Sequence, residues 1–184
     1  RFFRSELEQY LLMTREQGLD PAVLKGSYAG AMGYGQFISS SYRHYAVDFD
    51  DDGVADILTN PVDAIGSVAN YFREHRWQPG EPVADRLGAD LPDGSSMLTN
   101  GLKPSLQVGD YRKAGLPVPE AVNDDLPARA LRLRAENEHE LWLTYRNFYV
   151  ITRYNHSHLY AMAVHQLATA LKSGDGRAKQ QSDG

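Results

Sequence analysis

The chain has 184 residues, 42% hydrophobic and 23% charged, with a net charge of −5 and no cysteine. That is enough for one domain with a real core, or one domain plus a small appendage. The acidic balance argues against nucleic acid as a partner, the lack of cysteine removes disulfides, thiolate metal sites and cysteine nucleophiles, and no apolar run approaches the roughly 18–20 residues that span a bilayer. There is no signal peptide. The first residues are Arg1-Phe-Phe-Arg4 with no initiator Met, so the sequence reads as a processed or truncated piece of something longer.

In chain order, Phe3, Leu7, Tyr10, Leu11 and Thr14 recur at helical spacing and predict a helix over 2–17, with Gly18 as its C-terminal cap. Asp20-Pro21 marks the start of a short second helix, about 21–25. Residues 26–36 hold four glycines, so the backbone there is tightly turned or closely approached. Asn60-Pro61 repeats the helix-start signal, and Val62, Ile65, Val68, Ala69 and Phe72 carry a helix over 61–75. Residues 79–127 read as loops, short helical turns and a hairpin or two. Period-two alternation in 131–134 and 141–145 predicts strands. Ser157 caps a last helix with Leu159, Met162, Ala163, Leu167 and Ala170 on one face, and a disordered tail is expected from 173.

Between the glycines and the 61–75 helix lies Asp-Phe-Asp-Asp-Asp-Gly-Val-Ala-Asp, residues 48–56. Alternate carboxylates with a glycine in sixth place are what a loop needs to wrap a hard divalent cation. Asp48, Asp50 and Asp52 fit positions 1, 3 and 5; Val54 offers its backbone carbonyl at 7, and Asp56 sits at 9, directly or through water. Position 12 is Thr59 rather than the usual bidentate Glu, and Asp63, in the first helical turn after Pro61, is expected to close the site. A large, irregular, all-oxygen set favours Ca2+, in a structural role, because carboxylates so close together repel without a cation. The competing reading is a solvated acidic turn.

The glycine-rich segment Gly26-Ser-Tyr-Ala-Gly-Ala-Met-Gly-Tyr-Gly-Gln-Phe-Ile-Ser-Ser-Ser-Tyr42 resembles the central motif of the membrane-bound lytic murein transglycosylase B family of bacteria. Four further segments agree with that family in order and spacing: 45–50, 60–72, 148–157 and 160–162. The resemblance covers about residues 5–172. It implies an α+β, mainly α fold: a lysozyme-like helical core with an EF-hand-like calcium loop and a small irregular β subdomain. We therefore expect core over 1–78, an irregular α/β subdomain over 79–146, a return to the core over 147–172, and a tail over 173–184.

The resemblance also implies a reaction: non-hydrolytic cleavage of the MurNAc–GlcNAc β-1,4 bond of peptidoglycan. One Glu protonates the leaving oxygen and then acts as base while the sugar's own 6-hydroxyl closes a 1,6-anhydro ring. One carboxyl suffices, unlike the pair of a hydrolase, and it must be held protonated by burial. The family's Glu belongs to a Glu-Ser/Thr-x-Tyr/Phe-Gly motif some tens of residues before the glycine-rich segment. Neither Glu6 nor Glu8 sits in such a motif. The catalytic Glu is thus expected upstream of Arg1, and this chain alone is expected to be inactive.

By motif position Ser27 and Gln36 resemble the family's polar groups near the acid, Phe37, Tyr71, Tyr154 and Tyr160 resemble its groove aromatics, and Asn155 sits beside them. Aromatic faces and planar amides suit pyranose rings and their edges. Trp142, Phe148, Tyr149 and Met32 read as packing residues, Ser27 could merely cap a turn, and the six histidines show no ligand spacing. The alternative from another class is a non-catalytic peptidoglycan-binding module; a calcium-regulated EF-hand interaction protein fares worse, with one loop and four Met. The implied partners are glycan strands, with cell-wall synthases as further candidates. The implied compartment is the periplasm, and outer-membrane anchoring would need an N-terminal lipidated Cys that this chain does not contain.

Overall fold

The computed structural model describes residues 1–98, 101–134 and 138–174, in two compact units, 1–75 and 76–184.

The first unit carries three helices: α1 Phe2–Glu16, α2 Ser39–Tyr45 and α3 Pro61–Glu74. α1 ends as the sequence indicates, with Gly18 at φ 65°. The short helix expected at 21–25 is a single turn: Asp20 Oδ1 accepts the Ala22 amide at 2.8 Å and the Asp20 carbonyl that of Val23 at 3.3 Å. The Asp side chain here stabilises a turn instead of capping a helix. α2 has no amphipathic period and no side-chain cap of its own. Its first turn is held from outside, by Glu6 Oε2 accepting the Ser40 amide at 3.0 Å. α3 starts where Asn60 accepts the Val62 amide at 2.9 Å, with Pro61 at N1.

The glycine-rich segment is a pinched loop in which Met32 and Phe37 form an antiparallel bridge. Gly33, at φ 68°, lies against the second connection: a Cβ there would stand 2.3 Å from the Ile57 carbonyl oxygen. The adjacent Tyr34 amide donates to that same oxygen at 3.1 Å. The loop can sit on Ile57 only because residue 33 has no side chain.

The second unit holds a four-stranded antiparallel sheet of order β1-β4-β3-β2: β1 Ala84–Leu87, β2 Leu106–Gln107, β3 Pro127–Arg134 and β4 His139–Tyr145. Three helices accompany it: α4 Val108–Lys113, α5 Arg146–Tyr154 and α6 His158–Ser173. The strands expected at 131–134 and 141–145 form the hairpin half of β3 and β4, which pair Leu131 with Trp142 and Ala128 with Tyr145. Leu141, Leu143 and Tyr145 pack with Ala128, Ala130, Val108 and Tyr111. On the opposite face Trp142 meets His165 of α6 edge-on, ring centroids 6.3 Å apart. Both faces of β4 are covered, so all of Leu141–Tyr145 is buried. Asn147, fully buried at the start of α5, accepts the Gln78 amide and donates to the Gln78 and Glu81 carbonyls, tying 78–81 to that helix.

α6 is capped by Ser157, whose Oγ accepts the Tyr160 amide, and ends at Gly174 in the left-handed region. The apolar face read from the sequence is split. Met162 is buried together with Ala161, whereas Leu159 and Leu167 are exposed. The tail expected from 173 lies, beyond Gly174, outside the described residues.

Gly33→Ala combines left-handed strain of about 1–2 kcal/mol with backbone overlap of about 1–3 kcal/mol. We expect it to lower unfolding free energy by about 2–5 kcal/mol in urea denaturation. Gly18→Ala, also at positive φ but with nothing within 4 Å, should cost only the strain. Equal costs would show that the Ile57 approach is not limiting.

Candidate functional site

The acidic loop is built around Asp63. This residue sits in the first turn of α3, fully buried, and its carboxylate accepts the Phe49 amide with one oxygen and the Asp56 amide with the other, each at 2.8 Å. One side chain thus ties both ends of the loop to the helix start. Asp48 accepts the Asp52 and Gly53 amides at 3.1 and 2.7 Å, Asp52 accepts that of Val54 at 2.9 Å, and Asp50 accepts the Asn60 side-chain amide at 2.9 Å. Asp51 at φ 58° and Gly53 at φ 95° make the sharp bend. Asn60, which the sequence marks only as a helix cap, also orients Asp50.

Asp48, Asp50, Asp52 and Asp63 each offer an oxygen, all within 4.8 Å of one another. Oxygens on opposite sides of a calcium ion, at about 2.4 Å each, stand about 4.8 Å apart. The donor set is hard, anionic and concave, and so fits such an ion. Asp56 lies outside this group. It accepts the Leu58 and Thr59 amides and the Thr59 hydroxyl. Burial pushes its pKa up, but the bonds from Thr59 and Leu58 outweigh that and hold it below the usual carboxylate value. The Val54 carbonyl accepts the Asp56 amide at 3.1 Å. The loop is also tied to α2, since Tyr42 donates its hydroxyl to the Ala55 carbonyl at 2.8 Å. Burial first, and the Asp56 charge second, push the Tyr42 pKa up.

The sequence-predicted sugar contacts fall into distinct settings. Ser27 is exposed and closes a turn: its Oγ accepts the Ala31 amide at 3.1 Å. It lines a cavity of about 280 Å³ with Phe3, Glu6, Tyr10, Tyr28 and Ser39. Gln36 is exposed and strained, at φ 50°. Its side-chain amide donates to the Gly33 carbonyl at 2.9 Å, which fixes the group and leaves its Oε1 without a donor among the described residues. A non-glycine residue held in the left-handed region costs on the order of 1–3 kcal/mol and often marks a working position.

Phe37 and Tyr71 lie inside, at 3% and 8% exposure, with ring centroids 6.0 Å apart. Tyr45 packs edge-on against Tyr71 at 4.7 Å, and His75 stacks on it at 4.0 Å. These rings buttress the glycine loop from beneath. Tyr154, Asn155 and Tyr160 belong to the second unit, where the α5–α6 corner brings them together. Asn155 Oδ1 accepts the Ser157 amide at 3.1 Å, while its amino group has no partner among the described residues. Tyr160 is 38% exposed. Sequence reasoning passed over Glu6 and the Ile57 carbonyl; a carbonyl's role leaves no side-chain signature.

No helix among the described residues is long and apolar enough to cross a membrane. The transglycosylase SLT domain family matches residues 1–169. The membrane-bound lytic murein transglycosylase B of Escherichia coli (strain K12) is 48% identical over 170 residues, 92% of this chain and 46% of that protein. Among solved structures, the Escherichia coli lytic transglycosylase Slt35 in complex with calcium is similar at TM-score 0.82 and 47% identity, over 94% of this chain and 54% of that one. SltB3 from Pseudomonas aeruginosa, in complex with NAG-anhNAM-pentapeptide, is similar at TM-score 0.80 and 33% identity, over 93% of this chain and 46% of that one. The chain thus spans about half the length of these relatives. Its helical first unit, its small antiparallel sheet and these matches agree: the chain belongs to the lytic transglycosylase family of the SLT domain.

Proposed function

We propose that this chain is the glycan-gripping part of a peptidoglycan lytic transglycosylase. The whole enzyme would cleave the MurNAc–GlcNAc bond and leave a 1,6-anhydro-MurNAc end. The 48% identity over 170 residues, 92% of the chain, carries this reading. The geometry supports it: Gln36 and Asn155 are exposed planar amides, each with one side committed to backbone and the other open to a sugar's hydroxyl or acetamido group. Ser27 and Tyr160 offer hydroxyls, Tyr154 a ring, and Phe37 and Tyr71 the packed support under the loop. The proton donor is a Glu outside these 184 residues. The site of action is the periplasm, where murein lies, with cell-wall synthases as further candidate partners and any membrane attachment made by an N-terminal lipid anchor.

The acidic loop completes the proposal as a structural calcium site. Asp48, Asp50, Asp52 and Asp63 supply carboxylates and Val54 its carbonyl. Asp56, bonded to its own turn, takes the water-bridged ninth place. The four clustered carboxylates, one of them fully buried, and the calcium complex of a relative at 47% identity support this. When bound, the ion would neutralise the cluster and stiffen the connection between α2 and α3.

Two experiments test these readings. Calcium at about 100 times its Kd should stabilise the fold by about 2.7 kcal/mol, read as a rise in Tm that excess chelator reverses. Asp50→Asn should reduce that increment without lowering stability in chelator, since it removes one negative charge from the site and keeps an oxygen for Asn60. Asp63→Asn should lose about 1–3 kcal/mol even in chelator, because one buried backbone amide loses its acceptor. A Tm indifferent to calcium would contradict the site.

The second experiment concerns the glycan. In titration calorimetry with chitohexaose, Gln36→Ala and Asn155→Ala should each weaken binding about 10-fold, about 1.4 kcal/mol. The chain alone should release no anhydromuropeptides from purified murein. Unchanged affinities would remove these residues from the site, and release of anhydromuropeptides would show that the acid lies within the 184 residues.

A further inference from the structure

The sheet of the second unit splits at one end. β1 pairs with β4 from Ala84↔Thr144 to Leu87↔Leu141 and stops there. β4 runs on past that pair, through Glu140 to His139, joined only to β3 on its other side. Between the diverging ends, 88–90 on one wall and 138–140 on the other, lies a cavity of about 510 Å³. The backbone N–H and C=O groups of Gly88, Ala89 and Asp90 have no hydrogen-bond partner among the described residues. A strand edge left open in this way accepts the peptide groups of another chain.

Charge is concentrated on the same walls. Arg86 Nη2 meets Glu138 Oε1 at 2.9 Å and Glu140 Oε1 at 3.0 Å. Glu140 is fixed by the Trp142 indole N–H at 2.9 Å, and Asp90 accepts from Arg132 at 3.0 Å. The Arg86 and Glu138 side chains are 53% and 66% exposed, so their pair contributes little to stability and exchanges readily for partners on a ligand.

We propose that this wedge binds the charged end of a murein peptide stem: the terminal carboxylate on Arg86, the ammonium of the stem's diamino residue on Glu138 and Asp90, and the amide between them on the open groups of 88–90. Shape argues for a chain end, because the Leu87↔Leu141 pair closes the wedge on one side and bars a segment that runs through. Charge argues for a zwitterion. The walls set the carboxylates of Asp90, Glu138 and Glu140 against the guanidinium of Arg86. A carboxylate arriving alone meets that acidic surplus, whereas a ligand with both charges exchanges one ion pair for two. An oligomer of N-acetylglucosamine brings neither charge. The inference rests on the proposed murein substrate and adds a peptide site to it, within the second unit.

The test titrates the chain with the free stem L-alanyl-γ-D-glutamyl-meso-diaminopimelyl-D-alanine, by calorimetry and by amide NMR. The Gly88, Ala89, Asp90 and His139 amides should shift on binding. Arg86→Ala, Glu138→Gln and acetylation of the stem's diaminopimelyl ammonium should each weaken binding about 5-fold, the size of one exposed ion pair. Chitohexaose affinity should be the same in Arg86→Ala as in the unaltered chain. Absence of shifts at 88–90, or equal affinity for the acetylated stem, overturns the proposal. So does equally tight binding of an all-L peptide of the same charges, which would assign the wedge to a protein segment. Chitohexaose binding without stem binding sinks this inference alone, and stem binding without chitohexaose binding sinks the glycan contacts of the proposed function alone.

Discussion

A single carboxylate organises the first unit. Asp63 is fully buried, and an uncompensated buried charge is among the costliest things a fold can contain. It is offset by the amides of Phe49 and Asp56 and by the N-terminus of α3, which favours negative charge. Those two bonds fix where the acidic loop begins and ends. Residue 57 follows directly, and its carbonyl receives Tyr34 and the close approach of Gly33. The glycine loop therefore inherits its position from the acidic loop, and the strained Gln36 inherits its own from the glycine loop. A calcium ion gathering Asp48, Asp50 and Asp52 onto Asp63 would tighten the same linkage.

Features governed by local rules were legible in the sequence. The Asn60-Pro61 helix start, the Gly18 end of α1 and the Ser157 cap each rest on one side chain and its nearest amides. The Asp spacing also survives as geometry, down to Asp63 closing the group. What escaped depends on contacts distant in sequence. α2 has neither period nor cap and is anchored by Glu6, 34 positions away. Asp56 also accepts the Thr59 hydroxyl and the Leu58 and Thr59 amides, bonds that the spacing of the acidic run does not announce. Phe37 and Tyr71 have the residue type of sugar platforms, but packing against Tyr45 and His75 places them below the surface. Composition cannot distinguish a ring that faces a ligand from one that holds up the loop that does.

Apolar periodicity marks a helix without saying which neighbour receives its face. For α3 the pattern partly inverts: Ile65 is 71% exposed while Gly66 and Ser67 are buried, with Phe49 lying across Gly66. For α1 Met13 and Thr14 are the buried residues, while Leu7 and Leu11 face water.

The dependence of the glycine loop on the acidic loop is measurable at one amide. Tyr34 N–H donates to the Ile57 carbonyl. Its hydrogen exchange should be slow in calcium and should accelerate in chelator together with the Asp56 amide, while exchange in the β3–β4 ladder stays constant. If Tyr34 keeps its protection in chelator while Asp56 loses its own, the two loops are independent and the account fails.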